Sequence, residues 1–92
     1  MTMHKFSKTF RIYTENKNKE DIQALVSKYF EGFTLYEAKG VWKGKSEPSL
    51  VIEVLGHGSL TGIVREVAEK IKKLNNQEAI LVQKIDNHAE LF

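Results

Sequence analysis

Helical and extended patterns alternate along this chain, and their order restricts the fold more than any other feature. From Leu60 to Leu74 apolar side chains recur three or four residues apart, which predicts an amphipathic helix. The same spacing runs from Ile22 to Phe30, after an N-cap candidate at Asn18. Gly32 is placed to end the first helix in the left-handed conformation, and the asparagines at 75 and 76 end the second.

Four extended runs surround these helices. Phe10 and Ile12 alternate with Arg11 and Tyr13, as in a half-buried strand. Residues 50–55 are almost continuously apolar, which is typical of a central strand covered on both faces. The predicted strands are 8–14, 33–42, 50–55 and 78–85.

The predicted order is strand, helix, strand, strand, helix, strand, in one domain of residues 1–92 with terminal extensions at 1–7 and 87–92. Right-handed crossovers favour an α+β ferredoxin-like sandwich: a four-stranded antiparallel sheet of order 4-1-3-2, with two helices on one face. We expect strands 1 and 3 to be central and to run in the same direction. Residues 14–16 are then predicted to lie beside residues 56–59, at one edge of the sheet.

A hairpin arm, residues 40–48, joins strands 2 and 3 and holds the only Trp and the only Pro. It is predicted to project from the edge opposite residues 56–59. It is not a phosphate loop, because three residues rather than four separate Gly40 from Gly44 and a strand follows. With this arm the topology resembles that of small ligand-sensing domains such as the ACT and PII-like groups, a resemblance that covers topology only.

Composition excludes several classes of function. Fourteen basic and twelve acidic residues are mixed along the chain for a net charge of +2, which argues against a nucleic-acid partner. Without cysteine or a metal-binding histidine spacing, neither disulfides nor a metal or other cofactor is predicted. No run approaches the roughly 18 apolar residues of a membrane span, and no signal region follows the start, so we expect a cytoplasmic protein with no membrane partner.

The first candidate site is the turn before the second helix. Gly56 and Gly58 permit close backbone approach, the helix start offers free N–H groups, and Ser59 and Thr61 offer hydroxyls, which together suit a phosphate or carboxylate. His57 is the candidate general acid and base near neutral pH. The alternative is that Ser59 only caps the helix and His57 is solvated.

Aromatic and basic side chains elsewhere form a second set of candidates. Trp42 and Tyr13 can stack on a flat ring, and Lys43 and Lys45 can bind an anion. Alternatively, Trp42 covers a core edge and the lysines keep an exposed hairpin soluble. Arg11 is expected with Tyr13 on the bare sheet face, whose apolar side chains predict a homodimer interface.

Three functions fit these features. The first is a small homodimeric binding domain for a nucleotide or another phosphate-bearing small molecule, with residues 56–59 on the phosphate and Trp42 or Tyr13 on the base. The second is a metal-independent phosphodiesterase or ring-type nuclease acting on a cyclic nucleotide, in which His57 moves protons and Lys45 or Arg11 stabilises charge. The third is a protein-interaction or inhibitor module that uses the hairpin arm. The sequence leaves open whether the protein is an enzyme.

Overall fold

The computed structural model describes residues 4–91. The chain forms β1 (His4–Glu15), α1 (Lys19–Ser27), β2 (Thr34–Trp42), β3 (Lys45–Gly56), a one-turn 3-10 helix (Gly58–Leu60), α2 (Thr61–Leu74) and β4 (Leu81–Leu91). The strands form one sheet in the order β2-β3-β1-β4, with every neighbouring pair antiparallel. The predicted ferredoxin-like sandwich is confirmed.

The core lies between both helices and one face of the sheet. On β1, Phe10 and Ile12 are buried on this face, as their alternation with polar residues predicted. Burying this apolar face against the two helix stripes is the main stabilisation of the fold. The other buried side chains of the cluster come from both helices, β3 and the turn after α1: Ile22, Val26, Phe30, Leu50, Ile52, Val54, Val64, Val67, Ala68 and Ile71.

β1 and β3 run in opposite directions, so the prediction that they are parallel is wrong. Glu15 pairs with Ser49 at one end and Lys8 with Gly56 at the other. The reason is that α1 carries the chain back along the sheet, so β2 runs parallel to β1, and β3 returns between them in the opposite direction. Residues 14–16 and 56–59 therefore lie at opposite ends of the central strands, and their predicted proximity is also wrong.

β1 begins before its predicted start and β4 continues past its predicted end, although β4 begins only at Leu81 rather than at residue 78. His4 pairs with Leu91, so residues 4–7 and 87–91, predicted as terminal extensions, belong to the sheet. The register shifts between Phe6 and Lys8: two residues along β1 correspond to three along β4, from Ala89 to Asp86, so the extra residue interrupts the alternation of side chains on β4. Residues 1–3 and 92 of those extensions lie outside the described part of the chain.

The first helix ends earlier than predicted. α1 stops at Ser27, whose hydroxyl donates a hydrogen bond to the carbonyl of Gln23 at 2.8 Å and so competes with the backbone ladder. Gly32 does not adopt the left-handed conformation. Asn18 is the N-cap residue, but its side chain caps nothing and donates instead to Asn75 at 3.1 Å. Within residues 4–91, neither helix has the length and apolarity to cross a membrane.

Candidate functional site

The predicted site residues are divided between the two ends of the sheet. Trp42 pairs with Lys45 at the tip of the hairpin arm, and Gly56 closes the same 12-residue strand at its other end. At about 3.3 Å per residue these ends are about 36 Å apart. Tyr13 lies between them, opposite Val51. In one chain, no ligand of nucleotide size can contact both Trp42 and the turn at residues 56–59.

The turn before α2 is held by packing and by its own hydroxyl. Gly56 is buried, and a Cβ there would lie 2.2 Å from Cδ1 of Leu60, so a larger residue would have to displace the Leu60 side chain. The Thr61 hydroxyl donates to the carbonyl of Gly58 at 2.7 Å. Ser59 is exposed and makes no cap, so the interpretation in which it caps the helix is wrong. The turn retains exposed polar groups at Ser59 and Gly58.

His57 is exposed but held against β1. Its ring stacks on Phe6 with centroids 6.3 Å apart, and its Nδ1 lies 3.2 Å from the hydroxyl oxygen of Ser7. Arg11 lies on the sheet face, where its Nε donates to Glu53 at 2.8 Å, and this hydrogen bond raises the pKa of the guanidinium. Lys45 is at the far end of β3. One chain therefore does not bring His57, Arg11 and Lys45 together.

The exposed sheet face, here called the open face, carries a row of three neighbouring side chains on adjacent strands. Val51 of β3 lies between Tyr13 of β1 and Tyr36 of β2. Val51 is only 2% exposed although no helix covers it in the described part of the chain, and the register places it directly between the two tyrosines. The Tyr13 hydroxyl donates to Gln83 at 3.1 Å, while Tyr36 remains 40% exposed.

The hairpin arm leaves its aromatic residue in solvent. Trp42 is 68% exposed, so it covers no core edge, and the ammonium of Lys43 lies 6.0 Å from its ring centroid. Lys43 and Gly44 have φ values of 51° and 76°, which are the left-handed conformations of a type I′ turn.

A concave feature, here called the aromatic cleft, opens between the turn after α1 and the end of β3. Its volume is about 740 Å³, within the usual range for small-molecule sites. Two carboxylates, Glu31 and Glu53, stand at its margin. Most of the remaining wall is apolar or aromatic: Phe6, Tyr29, Phe30, Phe33, Val54, Leu55, Leu60 and Leu91.

Sequence reasoning missed this cleft. Tyr29 and Phe30 were assigned to the helix stripe and Phe33 to a strand, whereas all three lie in the turn between α1 and β2. The available signal was the density of aromatic residues around Gly32, where four of five residues from 29 to 33 are aromatic or glycine. Such a cluster in a short turn favours a ring-binding surface over a solvated loop.

Lys70 places a positive charge beside the aromatic cleft. Its ammonium donates a hydrogen bond to the hydroxyl of Tyr29 and lies 5.0 Å from the centre of that ring. The hydrogen bond to Tyr29 raises the pKa of Lys70, so the ammonium stays protonated near neutral pH. A fixed cation next to an apolar wall suits a ligand that combines a flat ring with an anionic group. Among residues 4–91, no three metal-ligating side chains cluster together.

No family model and no curated protein matches the chain. Among solved structures it is similar to a phage SAM lyase in the apo state, at 14% identity and a TM-score of 0.70, over 94% of this chain and 89% of the lyase. A phage SAM lyase in complex with S-methyl-5'-thioadenosine matches at 12% identity and a TM-score of 0.69, over 92% and 88%.

A nitrogen regulatory PII-like protein from Thiomonas intermedia, bound to ADP, AMP and bicarbonate, matches at 17% identity and a TM-score of 0.65, over 96% of each chain. At these identities the likeness shows a shared fold. The ferredoxin-like fold that the sequence predicted is thus shared with this PII-like protein.

Proposed function

We propose that this chain binds a small molecule that joins a nucleoside to an anionic group, and that the aromatic cleft is the site. The observation that carries the proposal is the cleft itself, in which aromatic walls flank a volume of about 740 Å³ and Lys70 is held against Tyr29. The walls suit the base, and the ammonium suits a phosphate or another anion. The polar turn at residues 56–59 adjoins the same cleft through Leu55 and Leu60.

The ligands of similar structures support a nucleoside over other ring compounds. The lyase complex holds S-methyl-5'-thioadenosine, and the PII-like protein holds ADP and AMP, so adenosine is the group that these ligands share. Identities of 12% and 17% carry no residue across to this chain. They support a class of ligand, and the choice of site rests on the cleft.

We further propose that the protein acts as a homodimer through the open face. Tyr36 is 40% exposed and Leu81 61% exposed on this face, and the Arg11–Glu53 pair supplies a polar centre. Trp42 projects on the same side, because it lies an even number of residues from Tyr36 along β2. A second copy would therefore meet the hairpin arm as well as the sheet.

Ligand-dependent thermal stability tests the binding proposal. The panel contains AMP, ADP, cyclic AMP, S-methyl-5'-thioadenosine, GMP, CMP and orthophosphate, all in EDTA, with chromatography of the products. At a ligand concentration of 100 times Kd, the folded state gains about 2.7 kcal/mol. For a domain of this size that is a rise in Tm of roughly 10–20 °C. We expect nucleoside-bearing anions to produce it and orthophosphate alone to produce none.

A matched pair of glycine variants localises the site. A Cβ at Gly32 meets no atom within 4 Å, so the backbone accepts a side chain there, and Gly32→Leu adds volume at the cleft and should abolish the stabilisation. Gly62 is equally free of neighbours and lies outside the cleft, so Gly62→Leu should respond like the parent. The proposal is wrong if no panel member raises Tm, or if Gly32→Leu binds as tightly as Gly62→Leu. Consumption of cyclic AMP would instead support the phosphodiesterase hypothesis.

A further inference from the structure

The end of β3 is a free sheet edge inside the aromatic cleft. β2 begins at Thr34, which pairs with Glu53, so the next three residues of β3 pair with β1 on one side and have no β2 partner on the other. Two of them, Val54 and Leu55, line the cleft. Within residues 4–91, no turn, loop or side chain hydrogen-bonds to the backbone of residues 54–56 in place of β2.

This edge presents a hydrogen-bond donor next to an acceptor. Along an antiparallel strand, each residue directs its N–H and C=O to the same side, and successive residues alternate between the two sides. At least one of residues 54–56 therefore points both groups away from β1 and toward the cleft. Three residues are too short an edge for a typical partner strand of five or six residues. They match the width of a nucleobase edge.

The charge at this edge distinguishes among bases. Glu53 lines the cleft at the point where the β2–β3 pairing ends, and Arg11 Nε donates to its Oε2, which fixes the carboxylate in place. Glu31 adds a second carboxylate to the margin. Negative oxygens beside a backbone carbonyl attract an exocyclic amino group and repel an exocyclic carbonyl.

We infer that the free edge of β3 at residues 54–56, together with Glu53, selects a 6-aminopurine. The amino group at C6 donates to the edge carbonyl or to Glu53, and ring nitrogen N1 accepts from the edge N–H. A 6-oxopurine in the same orientation reverses donor and acceptor, which leaves buried polar groups unpaired. Lys70 and the aromatic walls hold that orientation. This inference rests on the proposed function, because it assigns base specificity to the same cleft.

The test compares AMP with IMP, which differ at C6 and in the hydrogen on N1. Isothermal titration calorimetry should show AMP binding at least about tenfold more tightly than IMP. Hydrogen exchange measured by NMR should show that AMP slows exchange of at least one edge amide among residues 54–56 and that IMP does not. The amides of Asn75 and Gln77, which are hydrogen-bonded at the end of the molecule opposite the cleft, are the internal control and should exchange equally with both ligands.

Each outcome separates the two proposals. If neither AMP nor any other nucleotide binds, the proposed function itself is wrong. If AMP and IMP bind equally well, the protein binds nucleotides but the edge does not select the base. If AMP is preferred without protection of residues 54–56, another element recognises the base and the inference is overturned.

Discussion

A buried amide at the end of the molecule opposite the cleft connects three elements. Asn75 follows α2 and is 3% exposed. Its Nδ2 faces the hydroxyl of Thr14 at 3.0 Å, the carbonyl of Glu15 at 3.2 Å and the side-chain oxygen of Gln77 at 3.3 Å, while its Oδ1 accepts from Asn18 at 3.1 Å. It thus ties the end of β1 and the start of α1 to the end of α2. We predict that Asn75→Ala strongly destabilises the fold.

The size of this effect follows from the contacts. The amide has two hydrogens, so its three acceptors share them, and the accepted bond from Asn18 makes about three bonds in all. Each bond contributes about 1 kcal/mol net to the free energy of unfolding, and water replaces part of the bond lost by the exposed Asn18. The variant therefore loses about 2–3 kcal/mol of stability. That is a large fraction of the 5–15 kcal/mol stability of an ordinary domain, and it lowers Tm by roughly 10–20 °C.

Urea denaturation followed by circular dichroism measures this loss. Asn76→Gly is the control: Asn76 has a left-handed φ of 53°, which glycine adopts freely, so stability should change by less than about 0.5 kcal/mol. Asn75→Asp should cost more than Asn75→Ala at pH 7, because a carboxylate faces the oxygens of Glu15 and Gln77. Burial raises the folded-state pKa of that Asp above its unfolded value, so the extra penalty is present at high pH and fades as pH falls through the folded pKa. A change of under about 0.5 kcal/mol for Asn75→Ala would refute the reasoning.

Three further predictions concern the hairpin, an ion pair and the open face. Lys43→Asn should raise the free energy of unfolding by about 0.5–1 kcal/mol, because Asn-Gly is the preferred pair for a type I′ turn. Gly44→Ala, at a φ of 76°, should lower that free energy. A lower free energy of unfolding for Lys43→Asn would contradict the turn assignment. The hydrogen bond from Lys8 lowers the pKa of Asp86 from its ordinary 3.8, so the ion pair stabilises the fold above that pH, and this stabilisation is lost as pH falls through the folded-state pKa. Asp86→Asn should therefore lower Tm at pH 7 but not at pH 2. An equal loss of Tm at both pH values would exclude the ion pair as the cause of the loss. In sedimentation at tens of micromolar, Tyr36→Glu should convert the dimer to the 10.6 kDa monomer. Val41 is exposed on the other side of β2, so Val41→Glu should remain a dimer. A wild-type protein that sediments only as a monomer would disprove the dimer.

The periodicities of the sequence were sufficient to predict the fold. The alternation around Phe10 and the helical spacing after Leu60 place each element, because burial of one face determines both patterns. Strand direction was the error, and the predicted proximity of residues 14–16 to residues 56–59 was wrong for the same reason. The direction follows from counting reversals of the chain: α1 carries it back, so β2 runs parallel to β1, and the hairpin then reverses it once, so β3 opposes β1 regardless of residue identity.

The sequence shows the aromatic cluster around Gly32 but does not place the cleft, because the cleft depends on where the helices and strands end. α1 ends at Ser27 and β2 begins at Thr34, so six residues with three aromatic side chains must cross the end of the sheet. Local propensity places such boundaries poorly, since tertiary packing decides the last turn of a helix and the first pair of a strand. The extra residue of β4 between Asp86 and Ala89 hid the rest of that strand in the same way.

The hairpin arm and the aromatic cleft arise from one asymmetry in the sheet. β1 ends opposite Ser49, and four more pairs of β2 with β3 continue for about 13 Å as a two-stranded arm. At the other end β2 stops opposite Glu53, and residues 54–56 are left free inside the cleft.

A homodimer across the open face with antiparallel strands would lay the arm of each copy over the end of its partner that holds the cleft. Trp42 and Lys45 would then reach the open-face margin of the partner's cleft, at Glu53 and Leu55. The monomeric Tyr36→Glu variant tests whether Trp42 and Lys45 contribute to AMP binding. If the arm completes the site, the affinity of this variant for AMP should fall. An affinity equal to that of the Val41→Glu dimer would show that a single chain holds the whole site and that the arm has a separate role.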